Sequence, residues 1–337
     1  LLADASGADF VRFETPGRGP ALRTFLLETG VAVSGNGPTP AALAQAVARK
    51  GQIVAPHLWH AGFTHVLHEL QARIGAVSSA RFLATAAEIV AMFDKCACHA
   101  RLAAAGLPVP PSLDPVASFE ELQARMEATG MTAVFVKLRH GSAASGIVAL
   151  RSSRGRMRAT TTVEQTKGDD GETLLFNSRR VRTLTNPHEI ATLVNALCRY
   201  GVHVERWVPK LGIAGKNADL RALVIDSRVA CQVVRMSKTP ITNLHLGGER
   251  ADPSILHQRL RPGCLEQALA SCVRIGQCFP EAFQYAVDLA LTSDGKNHRI
   301  LEVNAFGDLL KSVEIDGVDP YTYQLSVLAD PEGWNAA

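Results

Sequence analysis

The order of apolar and polar positions along the chain predicts both strands and helices, and the clearest unit lies late in the sequence. Tyr285-Ala286-Val287-Asp288-Leu289-Ala290-Leu291 has strand character broken by one carboxylate, Ser293-Asp294-Gly295-Lys296-Asn297 supplies a turn, and Arg299-Ile300-Leu301-Glu302-Val303-Asn304 is a second strand. Together they predict a β-hairpin. Upstream, the apolar run Ala133-Val134-Phe135-Val136 closes on Lys137, passes through the small-residue loop Gly141-Ser142-Ala143-Ala144-Ser145-Gly146, and resumes at Ile147-Val148-Ala149-Leu150. That is strand, loop, strand. Helices are marked by their ends: Ser118 with Glu121 makes a capping box before Leu122-Gln123-Ala124-Arg125-Met126, closing at Gly130, and Asn186-Pro187-His188-Glu189 opens a helix toward Cys198. Phe93 to Leu102 reads as a helix stopped by Gly106 and Pro108, and residues 264–278 as another. Nearer the start, Phe10 to Glu14 reads as a strand, with helices over Pro40 to Lys50 and Gly62 to Ile74. Ser152 to Thr185 reads as an inserted β-hairpin turning at Lys167-Gly168-Asp169-Asp170-Gly171.

Composition changes this picture little. At 337 residues, 47% hydrophobic and 20% charged, the chain can bury a large core and is expected to form more than one domain. A net charge of +3 is too small to argue for nucleic acid. The local cluster Arg151, Arg154, Arg156, Arg158, Arg179, Arg180 and Arg182 suits an anionic partner, although solvated positive strands are the commoner explanation. No apolar run is long enough to span a bilayer and no signal peptide is recognisable, which argues against membrane partners. Seven cysteines without paired zinc spacing point to reduced thiols in a cytoplasmic protein. Cys96 and Cys98, two apart on a helix, make a poor chelate. His57, His60, His65 and His68 do not keep one helical face, so packing and solvent contacts are their expected roles.

Three groups carry candidate chemistry. Asp288 on one strand of the hairpin, with Glu302 and Asn304 two apart on the other, can converge on one face. Hard oxygen ligands of this kind suit Mg²⁺ held together with substrate phosphates; a polar hairpin face without metal is what the triplet alone leaves open. The glycine and serine loop lets backbone N–H groups approach phosphate oxygens, and Lys137 beside it adds a point charge. No helix follows that loop, so it is not a P-loop, and a plain turn is the ordinary reading of such a loop taken alone. Nucleophile signatures of the GxSxG or Cys/His kind are absent from the sequence.

In their order these motifs resemble the ATP-grasp superfamily, and within it the branch containing the ribosomal-protein glutamate ligases. The resemblance runs from about Phe93 to Gly307. It takes in Asp94-Lys95 with Gly106-Leu107-Pro108-Val109-Pro110, Val136-Lys137 with Gly141-Ser142 and Gly146, Glu205-Arg206-Trp207-Val208, Asp219-Leu220-Arg221, Arg235, Asn243-Leu244-His245 with Gly247-Gly248, Val287-Asp288, and Glu302-Val303-Asn304-Ala305. Where that branch continues with Ser-Pro-Gly, this chain has Phe306-Gly307-Asp308-Leu309-Leu310, an ending similar to an uncharacterised bacterial ATP-grasp group. That departure leaves the acceptor substrate open.

The resemblance implies an α+β ATP-grasp fold, with two α+β lobes sandwiching ATP behind a partial N-terminal α/β domain. It divides the chain into 1–86, 87–204 and 205–330; the hairpin 152–185 departs from the family pattern and is expected to cap the site. It implies that Lys95 and Lys137, with Gly141 and Ser142, hold the ATP phosphates, and that Glu205, Arg206, Trp207 and Val208 form the hinge that meets the adenine edge. Asp288, Glu302 and Asn304 would hold Mg²⁺. Arg221 and Arg235 would stabilise the transferring phosphoryl group or the acyl phosphate, with Asn243 beside them. The implied activity is an ATP-dependent carboxylate–amine ligase joining a carboxylate donor to an amine acceptor, an amino acid or a peptide. The alternatives are an ATP-grasp phosphotransferase and a nucleotide-binding module without catalysis.

Overall fold

The structure, a computed structural model, describes residues 7–17, 19–113, 115–168, 171–306 and 313–329, and for His245 the backbone alone. Part of the 167–171 turn and the stretch from Gly307 to Leu310 therefore lie outside the described residues. At the start, β1 (Phe10–Val11) pairs in parallel with β2 (Arg81–Phe82), and between them lie α1 (Pro20–Ser34), α2 (Pro40–Ala48) and α3 (Pro56–Gly75). The expected strand is thus two residues long, the helix placed at Gly62 begins at Pro56, and α1 was not anticipated. Its Gly30 explains why the pattern hides it. A Cβ there would sit 1.8 Å from the Leu58 carbonyl oxygen, and one at Gly62 would sit 1.9 Å from that of Leu26. The two glycines let α1 and α3 cross backbone to backbone, and the same small residue breaks the apolar period.

Next come α4 (Ala86–Phe93) and α5 (Lys95–Ala104), which the sequence ran together from Phe93. Asp94 separates them by capping α5: its side chain accepts from the N–H groups of Cys96 and Ala97. After α6 (Phe119–Ala128) the chain builds an antiparallel sheet from β3 (Ala133–Leu138), β4 (Ile147–Ser153), β5 (Arg156–Lys167) and β6 (Thr173–Leu184), then α7 (Pro187–Cys198) and β7 (Val202–Arg206). The strand order is β6-β5-β4-β3-β7. The capping expectations hold, because Ser118 accepts from the Glu121 N–H and Asn186 from those of His188 and Glu189. α6 and α7 cover one face of this sheet, with Leu122, Ile190, Leu193 and Leu197 fully buried against Val134, Val136 and Leu150.

Residues 152–185 form the outer strands of that sheet, and β6 also packs against residues 244–246, beside Asn243. Gln165 Nε2 donates to the Glu189 carbonyl of α7, Arg199 donates to the Thr173 carbonyl, and the Ile53 N–H donates to the Leu175 carbonyl. The hairpin tip is therefore held on the α7 side of the lobe, away from the opposite face that carries Lys137. Contact with the loop 139–146 comes from mid-strand, where the buried Thr162 hydroxyl donates to the Ala144 carbonyl.

The second lobe follows as β8 (Leu211–Ile213), β9 (Lys216–Ile225), β10 (Arg228–Ser237), a 3-10 turn at Leu244–Leu246, β11 (Glu249–Ala251), a 3-10 helix at Pro253–Gln258, α8 (Cys264–Arg274), a 3-10 turn at Ile275–Gln277, β12 (Gln284–Leu291), β13 (His298–Asn304) and α9 (Pro320–Ala329). Its sheet runs β11-β10-β9-β12-β13, with β8 also on β9. The predicted hairpin is β12 and β13, in register with Asp288 opposite Glu302. α4, α5 and α8 pack on one face of this sheet through Ile89, Met92, Leu102, Ala268 and Cys272. The opposite face is divided: Leu223, Ile225, Val233 and Ala286 pack with Leu83, Phe283 and Ile315, and the part toward Lys137 is polar. Among the described residues no helix is long and apolar enough to cross a membrane, and all seven cysteines are free.

Candidate active site

Strand register places the charged side chains of the large lobe in one row. On β9, Asp219 and Arg221 are two apart and share a face; Arg235 of β10 lies directly opposite Asp219, and Asp288 of β12 lies opposite both Arg221 and Glu302. Ion pairs join the row: Arg235 Nε to Asp219 Oδ1 at 2.8 Å, Arg235 Nη2 to Asp288 Oδ2 at 3.2 Å, and Arg221 Nε to Asp288 Oδ1 at 3.6 Å. Lys210 extends it, with Nζ 2.9 Å from Asp219 Oδ2 and 2.5 Å from Thr242 Oγ1; Thr242 also donates to Asp219.

From the small lobe, Lys137 meets this row across a cleft of about 660 Å³, lined also by Phe135, Ile147, Glu205, Val208, Ile241 and Asn243. Lys137 Nζ lies 2.6 Å from Glu205 Oε1, and Glu205 Oε2 lies 3.3 Å from His203 Nε2, with lysine and glutamate both buried. Burial alone would raise the Glu205 carboxyl, but Lys137 and His203 outweigh it and hold the group down at about 2. Burial alone would lower the Lys137 ammonium, and Glu205 and Glu302 reverse this to a net rise.

Lys95 begins α5 and reaches over the cleft margin, donating to Glu302 Oε1 and to the Gly141 carbonyl, both at 2.7 Å. Its base is fixed by Asp94, which takes Arg139 through both oxygens at 2.6–2.9 Å and has His140 at 3.5 Å. Burial opposes ionisation of Asp94, yet His140, Arg139 and the helix N–H groups hold it far below the usual carboxylate range. The lysine and the glycine loop are thereby tied to one cap. Glu302 is likewise lowered, because Lys95 and Lys137 outweigh its burial.

Of the residues singled out from the sequence, Lys137, Glu205, Val208, Arg235, Asn243, Asp288 and Glu302 line the cleft. Lys95 joins them through Glu302, Arg221 lies behind Asp288, and Asn304 shares the Glu302 face. Gly141 contributes a carbonyl to Lys95, while Ser142 is exposed. The hinge segment is less uniform than expected. Arg206 is exposed and its N–H donates to the Pro111 carbonyl, the Trp207 N–H donates to Ala133, and the indole lies against Phe135 with Arg151 stacked 3.9 Å from its centroid. Sequence reasoning missed Lys210 and gave Asp219 and Thr242 no role, because their meeting depends on register between segments 9 to 32 residues apart.

The oxygen set can be tested for Mg²⁺. Among the described residues no three of His, Cys, Asp and Glu gather as a self-sufficient metal site. Two carboxylates and an amide on one face fit instead an ion that completes its shell with phosphate oxygens and water. Asp288 Oδ1 is buried without a hydrogen-bond partner, so one oxygen of the set has acceptor capacity to spare. The residues fit the ion.

No protein-family model matches the chain, and a search of curated proteins finds no relative. Among solved structures it is similar to the macrocyclase MdnC bound with precursor peptide MdnA from Microcystis aeruginosa MRC, at 12% identity over 96% of this chain and 78% of that one, with a TM-score of 0.50. It is also similar to the D-cycloserine synthetase DcsG, at 16% identity over 79% of this chain and 81% of that one, with a TM-score of 0.49. The ATP-grasp ligase PsnB, complexed with a phosphomimetic variant of its minimal precursor, Mg and ADP, aligns at 16% identity over 95% and 78%, with a TM-score of 0.49. At such identities the likeness concerns architecture. The chain has the ATP-grasp fold.

Proposed function

We propose that the protein is an ATP-dependent carboxylate–amine ligase that works through an acyl phosphate. The observation that carries this reading is the single cleft in which Lys137, Arg235, Asp288 and Glu302 face one another between two sheets. Lys95 and Lys137 would bind the phosphates of ATP, and residues 205–208 would border the adenine. Asp288, Glu302 and Asn304 would hold Mg²⁺, which supplies charge neutralisation at the phosphates. Arg221 and Arg235, already fixed by Asp288 and Asp219, place positive charge where negative charge develops as the carboxylate oxygen takes the γ-phosphoryl group and ADP leaves. The amine then attacks the acyl carbon, phosphate departs, and the ammonium proton is lost to solvent.

Positioning and charge neutralisation supply the catalysis, so no side-chain nucleophile is called for. The test is product analysis with Mg·ATP against pooled amino acids and peptides. A ligase releases ADP and phosphate only when donor and amine are both present, whereas phosphate retained on the product would make the protein a phosphotransferase. Glu302→Ala is expected to abolish the magnesium-dependent turnover; full magnesium-dependent activity in that variant would remove Glu302 from the metal site.

A further inference from the structure

Resting on that ligase reading, we propose that Lys210 is a positioning residue of the reaction: through Asp219 it fixes Arg235 at the point where the phosphoryl group is transferred. The sequence motifs leave Lys210 out, yet it lines the cleft with a nearly buried side chain, 8% exposed. Its ammonium makes two contacts there, to Asp219 Oδ2 and to Thr242 Oγ1. Asp219 holds Arg235 with its other oxygen, and Arg235 reaches Asp288.

Charges therefore alternate along the row as Lys210, Asp219, Arg235, Asp288, Arg221, Glu302, and with Lys95, Lys137 and Glu205 beside it the site holds five cations against four carboxylates. Fold stability does not account for such a row. Buried ion pairs seldom outperform apolar residues of the same volume, because desolvation offsets their attraction. An excess of fixed positive charge is instead what a site for transient negative charge requires. Within the row Asp288 and Glu302 are the carboxylates assigned to Mg²⁺. Once they are engaged there, Asp219 is the remaining carboxylate of the row that can hold the Arg235 guanidinium in place. Asp219 can do so only while it is ionised and oriented, and Lys210 with Thr242 supplies that second anchor. Burial would raise the Asp219 carboxyl, and Arg235 with Lys210 keeps it low.

The experiment compares binding of Mg·ADP alone with binding of Mg·ADP plus aluminium fluoride, a stand-in for the phosphoryl group in transfer, by titration calorimetry on the full chain. The wild type is expected to bind Mg·ADP and to bind it more tightly with the fluoride. In Lys210→Met the affinity for Mg·ADP should change less than about twofold, while the tightening by fluoride should fall by about 10- to 100-fold, by analogy with the residues that hold metal ligands in place. Lys210→Arg should restore part of it. Should Lys210→Met fail to fold, Lys210→Met with Asp219→Asn removes both charges together, and this pair should fold and still lack the tightening. Undiminished tightening in either folded variant, or an equal loss of both affinities, would overturn the assignment. Failure of the wild type to bind Mg·ADP would overturn the ligase reading itself.

Discussion

Replacing Glu205 by Gln should unmask how the cleft is held in the absence of nucleotide. The substitution keeps shape and removes one charge, leaving the Lys137 ammonium buried against a neutral amide oxygen, with the Leu301 carbonyl at 3.5 Å as its other acceptor. Two routes give the size of the effect. Breaking a buried pair by removing one partner costs about 3–5 kcal/mol. Independently, the carboxyl is held near 2 against an ordinary value of 4.5, and at about 1.4 kcal/mol per unit this gives roughly 3 kcal/mol. The sign is clear: a carboxyl lowered in the folded state stabilises above its ordinary range and loses that contribution as pH falls toward 2. At neutral pH the full loss is therefore expected, and at about 2–4 °C per kcal/mol the melting temperature should drop by roughly 6–20 °C.

Nucleotide should reverse much of this. If Lys137 binds phosphate, the anion replaces the missing carboxylate, and the thermal shift produced by Mg·ATP should be larger in Glu205→Gln than in the wild type. The assay is a melting curve with and without Mg·ATP at pH 7. A nucleotide-free melt within 1 °C of the wild type would refute the energetic argument, and an unchanged nucleotide shift would separate Lys137 from the phosphates.

Gly30→Ala should destabilise the α1–α3 crossing severely, since its Cβ would fall 1.8 Å from the Leu58 oxygen, whereas Gly75→Ala meets nothing within 4 Å and should melt like the wild type; differential scanning calorimetry on the pair checks this. Replacing residues 165–172 with a short Gly-Ser turn should leave ATP affinity and the coupling of ADP release to product intact, because Gln165 bonds α7 and not the cleft. A rise in uncoupled ATP hydrolysis in that variant would instead make the hairpin tip a cover over the site.

Local chemistry was legible in the sequence and non-local pairing was not. The β12–β13 hairpin announced itself through an apolar run, a turn and a period of two, and that period placed Glu302 and Asn304 on one face. Ser118 and Asn186 named their helices because a cap is a contact within three residues. The signal failed where a residue serves a partner distant in the chain. Gly30 breaks a helical pattern to admit another helix, residues 51–53 extend the edge of β6 from outside its lobe, and Glu205, read as part of a hinge, spends its side chain on Lys137. Cross-strand neighbours are set by register, which a single sequence does not print.

The ion pairs of the cleft make one more demand on the metal site. Lys95 occupies Glu302, and Arg221 with Arg235 occupies Asp288, so the oxygens assigned to Mg²⁺ are already neutralised by the protein's own cations. A divalent ion arriving alone must displace them without offering a substitute, and ATP arriving alone would find those same cations engaged. Under the proposed assignment, phosphate arriving with the metal would take the lysine and arginines while the metal would take the carboxylates. Mg²⁺ and ATP should therefore bind with positive coupling, each raising the affinity for the other by the same factor, on the order of 5- to 150-fold. Lys95→Met separates the two halves of this exchange: it removes the competitor from Glu302 and one phosphate contact at once. Calorimetric titration should then show Mg²⁺ alone binding more tightly than to the wild type, ATP binding more weakly, and the coupling factor reduced. Weaker binding of Mg²⁺ alone would mean that Lys95 orders Glu302 for the metal instead of competing with it.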